Sequence, residues 1–370
     1  METSTNNSKL NPKDIVLSLI KDFPSRTQNI LKKKFGLVDN QLQTLQAIGQ
    51  TYNITRERVR QIVDDSIKIL SQREPTRELT AIWDIYFNIL KNNNYVMLES
   101  DLLEEIKNIL KISSQSIKAL RFLLFLNPNF VFQPETKDTR SYWYTKNRTQ
   151  KDILNDVKLI ENFLKQQNTS QNLESVWEWF KTSQQREVSK REVETYLNIN
   201  KHLGRNIYGE YGLLGWSEIN PSGAKDRAYL ILKHQKKPMH FSEIAKQLNE
   251  LRKITGASLA SDDAWFKSVE IQTVHNELIK DPRFVLIGRG VYALRDWGYK
   301  EGKIIDVIKA VLANANHPLT KEEIVNEVQK YRLAKENTIF LNLHNKKYFK
   351  KLPDKHYTLV HPPKSKILEI

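Results

Sequence analysis

Residues 44–62 read TLQAIGQTYNITRERVRQI, and within them Glu57 and Gln61 form a pair suited to hydrogen-bond chemistry with base edges. In a major groove arginine forks onto guanine, glutamine pairs with adenine and glutamate accepts from the cytosine amino group. Arg56, Arg58 and Arg60 flank them and edge the pair with cations. To act together these side chains must project from one end of one helix. At about 100° per residue, Val59, Ile62, Val63, Ser66 and Leu70 group on one side, while Glu57 and Gln61 point directly away. A run of arginines by itself is most simply a solvated face of a helical hairpin. Here the turn positions are filled as well, which favours double-stranded DNA as the partner.

Those turn positions define the elements that must hold the reader. Ile48, Tyr52, Ile54, Val59 and Ile62 are the apolar contacts of a helix-turn-helix, and Gly49 is the small residue where its helices meet. Asn53 suits the left-handed conformation of the turn. Thr55 predicts the N-cap of the second helix, with Glu57 in the first turn at the favoured end of the dipole.

The segment from residue 23 to about residue 70 resembles the fourth conserved region of housekeeping bacterial sigma factors. The likeness rests on Arg26, the KKFGL approach, TLQAIG and TRERVRQI. It implies that the second helix reads the upstream promoter hexamer, with Arg56, Glu57 and Gln61 on bases and Thr55, Arg58 and Arg60 on phosphates. It also implies packing against the flap of the RNA polymerase core. The continuation IVDDSIKILSQ departs from the basic tail usual in that family. Nothing resembles the sigma regions that melt promoters, and the stretch before residue 23 is too short for them, so a free-standing initiation factor is not expected.

Around this segment the composition is basic: 58 Lys and Arg against 43 Asp and Glu leave a net charge of +15, which favours polyanionic partners. Apolar spacings of three and four dominate and Gly and Pro are few, so the expected fold class is mainly α. Short strand pairs are expected at 130–144, 284–294 and near 356–360. KPMHFSEI at 237–244 matches HPLTKEEI at 317–324. Beyond these, Thr273, Asn276, Leu278, Phe284, Tyr292 and Leu294 fall opposite Thr338, Leu341, Leu343, Phe349, Tyr357 and Leu359 at one offset. A repeat through helices and a hairpin predicts winged-helix units. The division is then tandem helix-turn-helix and winged-helix modules with short β-hairpin wings, at 1–75, 79–147, 151–221, 223–300 and 301–362, with linkers at 71–78, at 220–226 and after 361. Residues 226–299, through PMHFSEIA and TVHNELIKDPRFVLIGRGVYAL, resemble the HARE-HTH domain of the RNA polymerase delta subunit and of DNA-modification proteins.

Two wings carry cations. Arg289, at a glycine-flanked tip, is either a phosphate or minor-groove contact or a plain loop residue. Lys346, Lys347, Lys350 and Lys351 are either a basic wing or solubilising charge, with Tyr348 and Phe349 between them read as core.

Other chemistries find no support in the sequence. There is no Cys, so thiolate zinc sites, disulfides and cysteine nucleophiles are excluded. The eight His lack ligand spacing, and His240, His275 and His344 read as helix-start or partly buried polar residues. Glu105 and Lys107 make an isolated acid-x-Lys pair. Gly209, Gly212 and Gly215 lack the Lys-Ser of a phosphate loop and read as turns. The longest apolar run, at 122–126, is far below the roughly 20 residues of a membrane span. The polar amino terminus lacks the pattern of a secretory signal. No catalytic residue, metal, cofactor, small-molecule substrate or membrane is therefore expected, and the location is expected to be cytoplasmic, at the nucleoid. Three roles remain open: a sigma-like DNA-binding protein acting at promoters, a delta-like polymerase accessory using its helix-turn-helix modules for protein contacts, and the DNA-targeting arm of a restriction or modification system.

Overall fold

The computed structural model describes residues 10–37, 41–184, 186–255, 268–299, 302–315 and 317–361. It separates into two compact units, one of 1–205 with 209–214, the other of 206–208 with 215–370. The mainly helical class with small antiparallel strand pairs is as expected.

The first unit opens with four helices, α1 (Pro12–Ile20), α2 (Ser25–Phe35), α3 (Leu45–Tyr52) and α4 (Arg56–Gln72). Asn11, Thr44 and Thr55 cap the first, third and fourth by accepting a backbone N–H in the first turn. Next come α5 (Arg77–Asn92), β1 (Val96–Leu98), α6 (Glu99–Leu110), α7 (Ile117–Phe125), β2 (Phe130–Gln133) and β3 (Tyr142–Thr145). The stretch 71–78, expected as a linker, is helical at both ends: Ser71 and Gln72 finish α4, and Thr76 caps α5. The unit closes with α8 (Gln150–Gln167), α9 (Leu173–Gln184), α10 (Lys190–Ile199), β4 (Leu203–Arg205) and β5 (Tyr211–Leu213). Gly212 therefore lies within a strand, paired with Gly204, and not in a turn. Gly209 does occupy the turn between these strands, at φ +82°.

The second unit contains α11 (Ala224–Gln235), β6 (Met239–His240), α12 (Phe241–Thr255), α13 (Ile271–Lys280), β7 (Phe284–Leu286) and β8 (Val291–Leu294). It continues with α14 (Ile304–Asn314), α15 (Lys321–Tyr331), α16 (Glu336–Leu343), β9 (Phe349–Lys351) and β10 (Tyr357–Leu359). Thr320 and Glu323 form a reciprocal capping box that starts α15.

One topology recurs four times: helix, a short extended segment, two helices, then a hairpin whose last strand pairs back with that segment. The pairings are Met97 with Trp143, Gln171 with Tyr211, Met239 with Tyr292, and Leu319 with Tyr357. The two copies in the second unit share register residue for residue, Phe284 opposite Leu294 and Phe349 opposite Leu359. The repeat in the sequence is the repeat in the strand pairing.

A single apolar core runs from Ile15 to Trp143, joining α1–α4 to the α5–β3 module. Its centre is α7, whose Leu120, Phe122, Leu123 and Leu124 are all fully buried. Phe122 meets Phe35 of α2 edge-on at 4.9 Å, and Phe125 meets Trp143 at 4.9 Å. Two aromatic donors of this core are satisfied by α7: Trp83 Nε1 donates to the Leu123 carbonyl at 2.9 Å, and the Tyr86 hydroxyl to that of Leu120 at 2.9 Å. The α8–β5 module docks through α10. Asn94 donates to the buried Glu192, Arg140 donates to the Asn198 carbonyl, and Thr139 bridges to Asn200.

The second unit is tied together by charge. Arg283 Nη2 binds both Asp226 and Asp281 at 2.6 Å, and Ser222 donates to Asp226. Burial alone would raise the Asp226 pKa, but the bonds from Arg283 and Ser222 outweigh it; for Asp281 the Arg283 bond is the main cause, and both carboxyls sit below their ordinary range. A depressed folded value gives stabilisation that is complete above the unfolded pKa and is lost as pH falls through the folded one. Asp226→Asn should thus lower the melting temperature of this unit at neutral pH. The gap to wild type should close as pH drops from about 5 toward 3. A gap independent of pH, followed by circular dichroism, would show that the carboxylate charge contributes nothing.

Candidate nucleic-acid interface

The α3–α4 corner is fixed by backbone constraints. Thr44 accepts from Ala47 N at 3.1 Å, and Asn53 takes the left-handed conformation at φ 52°. A Cβ on Gly49 would lie 2.6 Å from the Ile54 carbonyl oxygen, a backbone atom that cannot step aside, so this site requires glycine. Arg26 reaches from α2 to the Tyr52 carbonyl at 2.9 Å, occupying one of the acceptors left open at the end of α3. Arg26 and Lys33 also lie 5.7 and 5.4 Å from the Tyr52 ring.

On α4, Val59, Val63, Ser66 and Leu70 are buried and Ile62 is half-buried, which sets the orientation of the helix. Arg56, Glu57, Arg58, Arg60 and Gln61 are all exposed, so the structure brings the predicted readers together on one face. Thr55 sits at their head: its Oγ1 accepts from Arg58 N at 3.1 Å, leaving the hydroxyl proton available to a phosphate.

Spacing alone did not reveal how these side chains hold one another. Arg60 binds Glu57 and Asp64 at 2.5 Å each, and Arg58 donates to the Gln61 side-chain oxygen at 3.2 Å. The Arg60 hydrogen bond holds the Glu57 carboxyl below its ordinary pKa range. Glu57 is thus oriented by Arg60, and Gln61 by Arg58. The signal was present in the i, i+3 and i, i+4 separations of Glu57, Arg60 and Asp64. Pairs this exposed are screened by solvent, so they orient without locking and exchange readily for contacts to DNA.

The wing residues belong to the second unit. Arg289 is exposed at the β7–β8 tip beside Gly290 at φ +67°. Lys346 and Lys347 lie in the tight turn after α16, and Lys350 and Lys351 on β9; all four are exposed. Phe349 is buried and Tyr348 packs against the same core, with Lys309 at 3.7 Å from its ring, so these aromatics are packing residues.

The remaining polar groups have ordinary partners. His240 Nδ1 contacts Ser242 Oγ at 2.7 Å, His344 the Phe340 carbonyl at 2.7 Å, and His275 packs on Phe241. Glu105 pairs with Arg191 and Lys107 with Glu104, which separates the two halves of the acid-x-Lys pair. Among the described residues no group of three or more His, Asp or Glu could hold a metal ion, and no helix is long and apolar enough to cross a membrane.

An exposed basic and polar helix face, held at a glycine-dependent corner, defines a helix-turn-helix of the kind that reads duplex DNA. Residues 19–72, from the end of α1 through α4, match the family model for Sigma-70, region 4. Over 65 residues the chain is 35% identical to RNA polymerase sigma factor SigA of Clostridium acetobutylicum, covering 18% of this chain and 17% of that one. Over 52 residues it is 44% identical to RNA polymerase sigma factor SigA of Lactococcus lactis subsp. cremoris, 14% of each chain. It is 42% identical over 52 residues to RNA polymerase sigma factor SigA of Nostoc sp., 14% of this chain and 13% of that one. The chain therefore spans less than a fifth of the length of these relatives.

Proposed function

We propose that this chain is a non-enzymatic, sequence-specific DNA-binding protein of the bacterial transcription machinery, acting at promoters together with RNA polymerase. In this reading α4 enters the major groove, with Arg56, Glu57 and Gln61 on base edges and Thr55, Arg58 and Arg60 on phosphates. The polymerase core, through its flap, is the protein partner, and the setting is the cytoplasm at the nucleoid. The observation that carries it is the single exposed face of α4, which holds all of these residues within the segment matched to Sigma-70, region 4. The net charge of +15 supports a polyanionic partner. The five-part division stands beside it, with a HARE-HTH-like module at 223–300 presenting Arg289 from its wing.

A delta-like accessory role is the second reading, favoured by the burial of α7 and α10, which withdraws two third helices from any groove. Enrichment of random duplexes by the full chain, with and without purified polymerase core, separates the two. A recurrent motif is expected from the chain alone, and polymerase is expected to be retained with it. Enrichment without any motif, with polymerase still captured, would move the accessory role ahead.

A further inference from the structure

Four modules share one topology but present their third helices differently. On α7, Leu120, Phe122, Leu123 and Leu124 are buried in the core shared with α1–α4. On α10, Glu192, Val193, Thr195, Tyr196, Leu197 and Ile199 are buried. Neither can enter a groove. The outer face of α13 is open, but it carries Gln272, Thr273 and Asn276 beside Ile271 and Ile279, which are 50% and 62% exposed. A weakly charged face with two bare isoleucines does not fit a phosphate backbone.

α16 differs from the other three. Its Asn337, Thr338 and Leu341 point outward together, and Leu341, at 75%, is the most exposed large apolar side chain among the described residues. The chain then turns directly into Lys346, Lys347, Lys350 and Lys351. Between residues 335 and 355 six lysines face only two carboxylates, Glu336 and Asp354. Lys321, at the start of α15, lies 4.8 Å from the ring of Phe340 on α16 and adds to the same positive rim.

We propose that α16 and the β9–β10 hairpin form a second duplex-DNA surface, distinct from α4. It rests on the reading of the chain as DNA-binding and adds to it a division of labour. Lysine ammonium groups act as point charges on phosphates and carry little sequence information. The β9 hairpin therefore supplies affinity, while Asn337 and Leu341 reach an adenine edge and a thymine methyl. α4 supplies the main specificity.

The test uses the full chain with Lys346→Gln, Lys347→Gln, Lys350→Gln and Lys351→Gln combined, titrated onto random duplex DNA over a range of salt. All four side chains are exposed, and circular dichroism serves to check that the fold is retained. Affinity near 0.1 M salt should fall about tenfold or more, and the slope of log affinity against log salt should become shallower by about two to three units. Leu341→Glu, which places a carboxylate on α16 itself, should weaken the same binding several-fold and abolish any thymine preference that α16 reads, leaving the part of the motif read by α4 unchanged. Wild-type affinity and slope in the lysine variant would overturn the surface, and a silent Leu341→Glu would remove α16 from it. If enrichment yields no motif yet the lysine variant loses random binding, the promoter reading fails and this surface stands. If the motif persists and random binding is untouched by the lysine changes, the reverse holds.

Discussion

Phe122→Ala is expected to lower stability by about 3–5 kcal/mol and to loosen α1–α4 together with α5–α7 in one transition. Phe122 is fully buried on α7 and meets Phe35 of α2 edge-on, so its loss opens a void on the seam between the DNA-reading helices and the module behind them. The cost combines lost transfer energy with a cavity that rigid neighbours cannot close. Tyr86 and Trp83 hydrogen-bond to carbonyls of the same helix, so repacking around the void is further restricted. Urea unfolding gives the size of the effect, and amide exchange gives its extent. Protection should fall in α2 and α4 as well as in α5 and β3. Unchanged protection in α1–α4 alongside a loosened 77–145 would show two independent cores.

Arg56→Ala should cost about 1–3 kcal/mol on an enriched site while barely changing affinity for random duplex, as expected for a guanine contact. Arg60→Ala carries two effects, because its guanidinium also clamps Glu57 and Asp64. Losing it removes one phosphate contact, which weakens every sequence and makes the salt slope shallower by about one unit. It also frees Glu57 to swing, so preference at the base pair that Glu57 reads should relax. Gln61→Ala should relax preference at a single position. Titrations of the three variants on enriched and random duplexes separate these outcomes. Identical behaviour of Arg56→Ala and Arg60→Ala on both DNAs would remove α4 from base reading.

The local grammar of this chain was legible, and its long-range bonds were not. Thr55 as a cap, Asn53 in a left-handed turn and Gly49 at a close approach each follow from a backbone rule that involves a few neighbours. The hairpin at 284–294 and the register of Phe349 and Tyr357 followed from a repeat. The sequence carries no mark of the reach of Arg26 to Tyr52, the Arg283 bridge between Asp281 and Asp226, or the docking of α10 through Glu192 and Asn94. Such bonds join residues far apart in sequence and leave no periodic mark. α7 is a different case. Its FLLF run places apolar side chains around the helix while Lys118 and Arg121 remain half-exposed, a pattern that fits a helix packed on most of its circumference.

The seam between α2 and α7 limits how the DNA-reading end can be transplanted or inherited. Cut after α4, it would leave Phe35 facing water where Phe122 and Phe125 had covered it, a sticky fragment inclined to aggregate. The smallest piece of this chain that keeps Phe35 covered therefore runs on to β3.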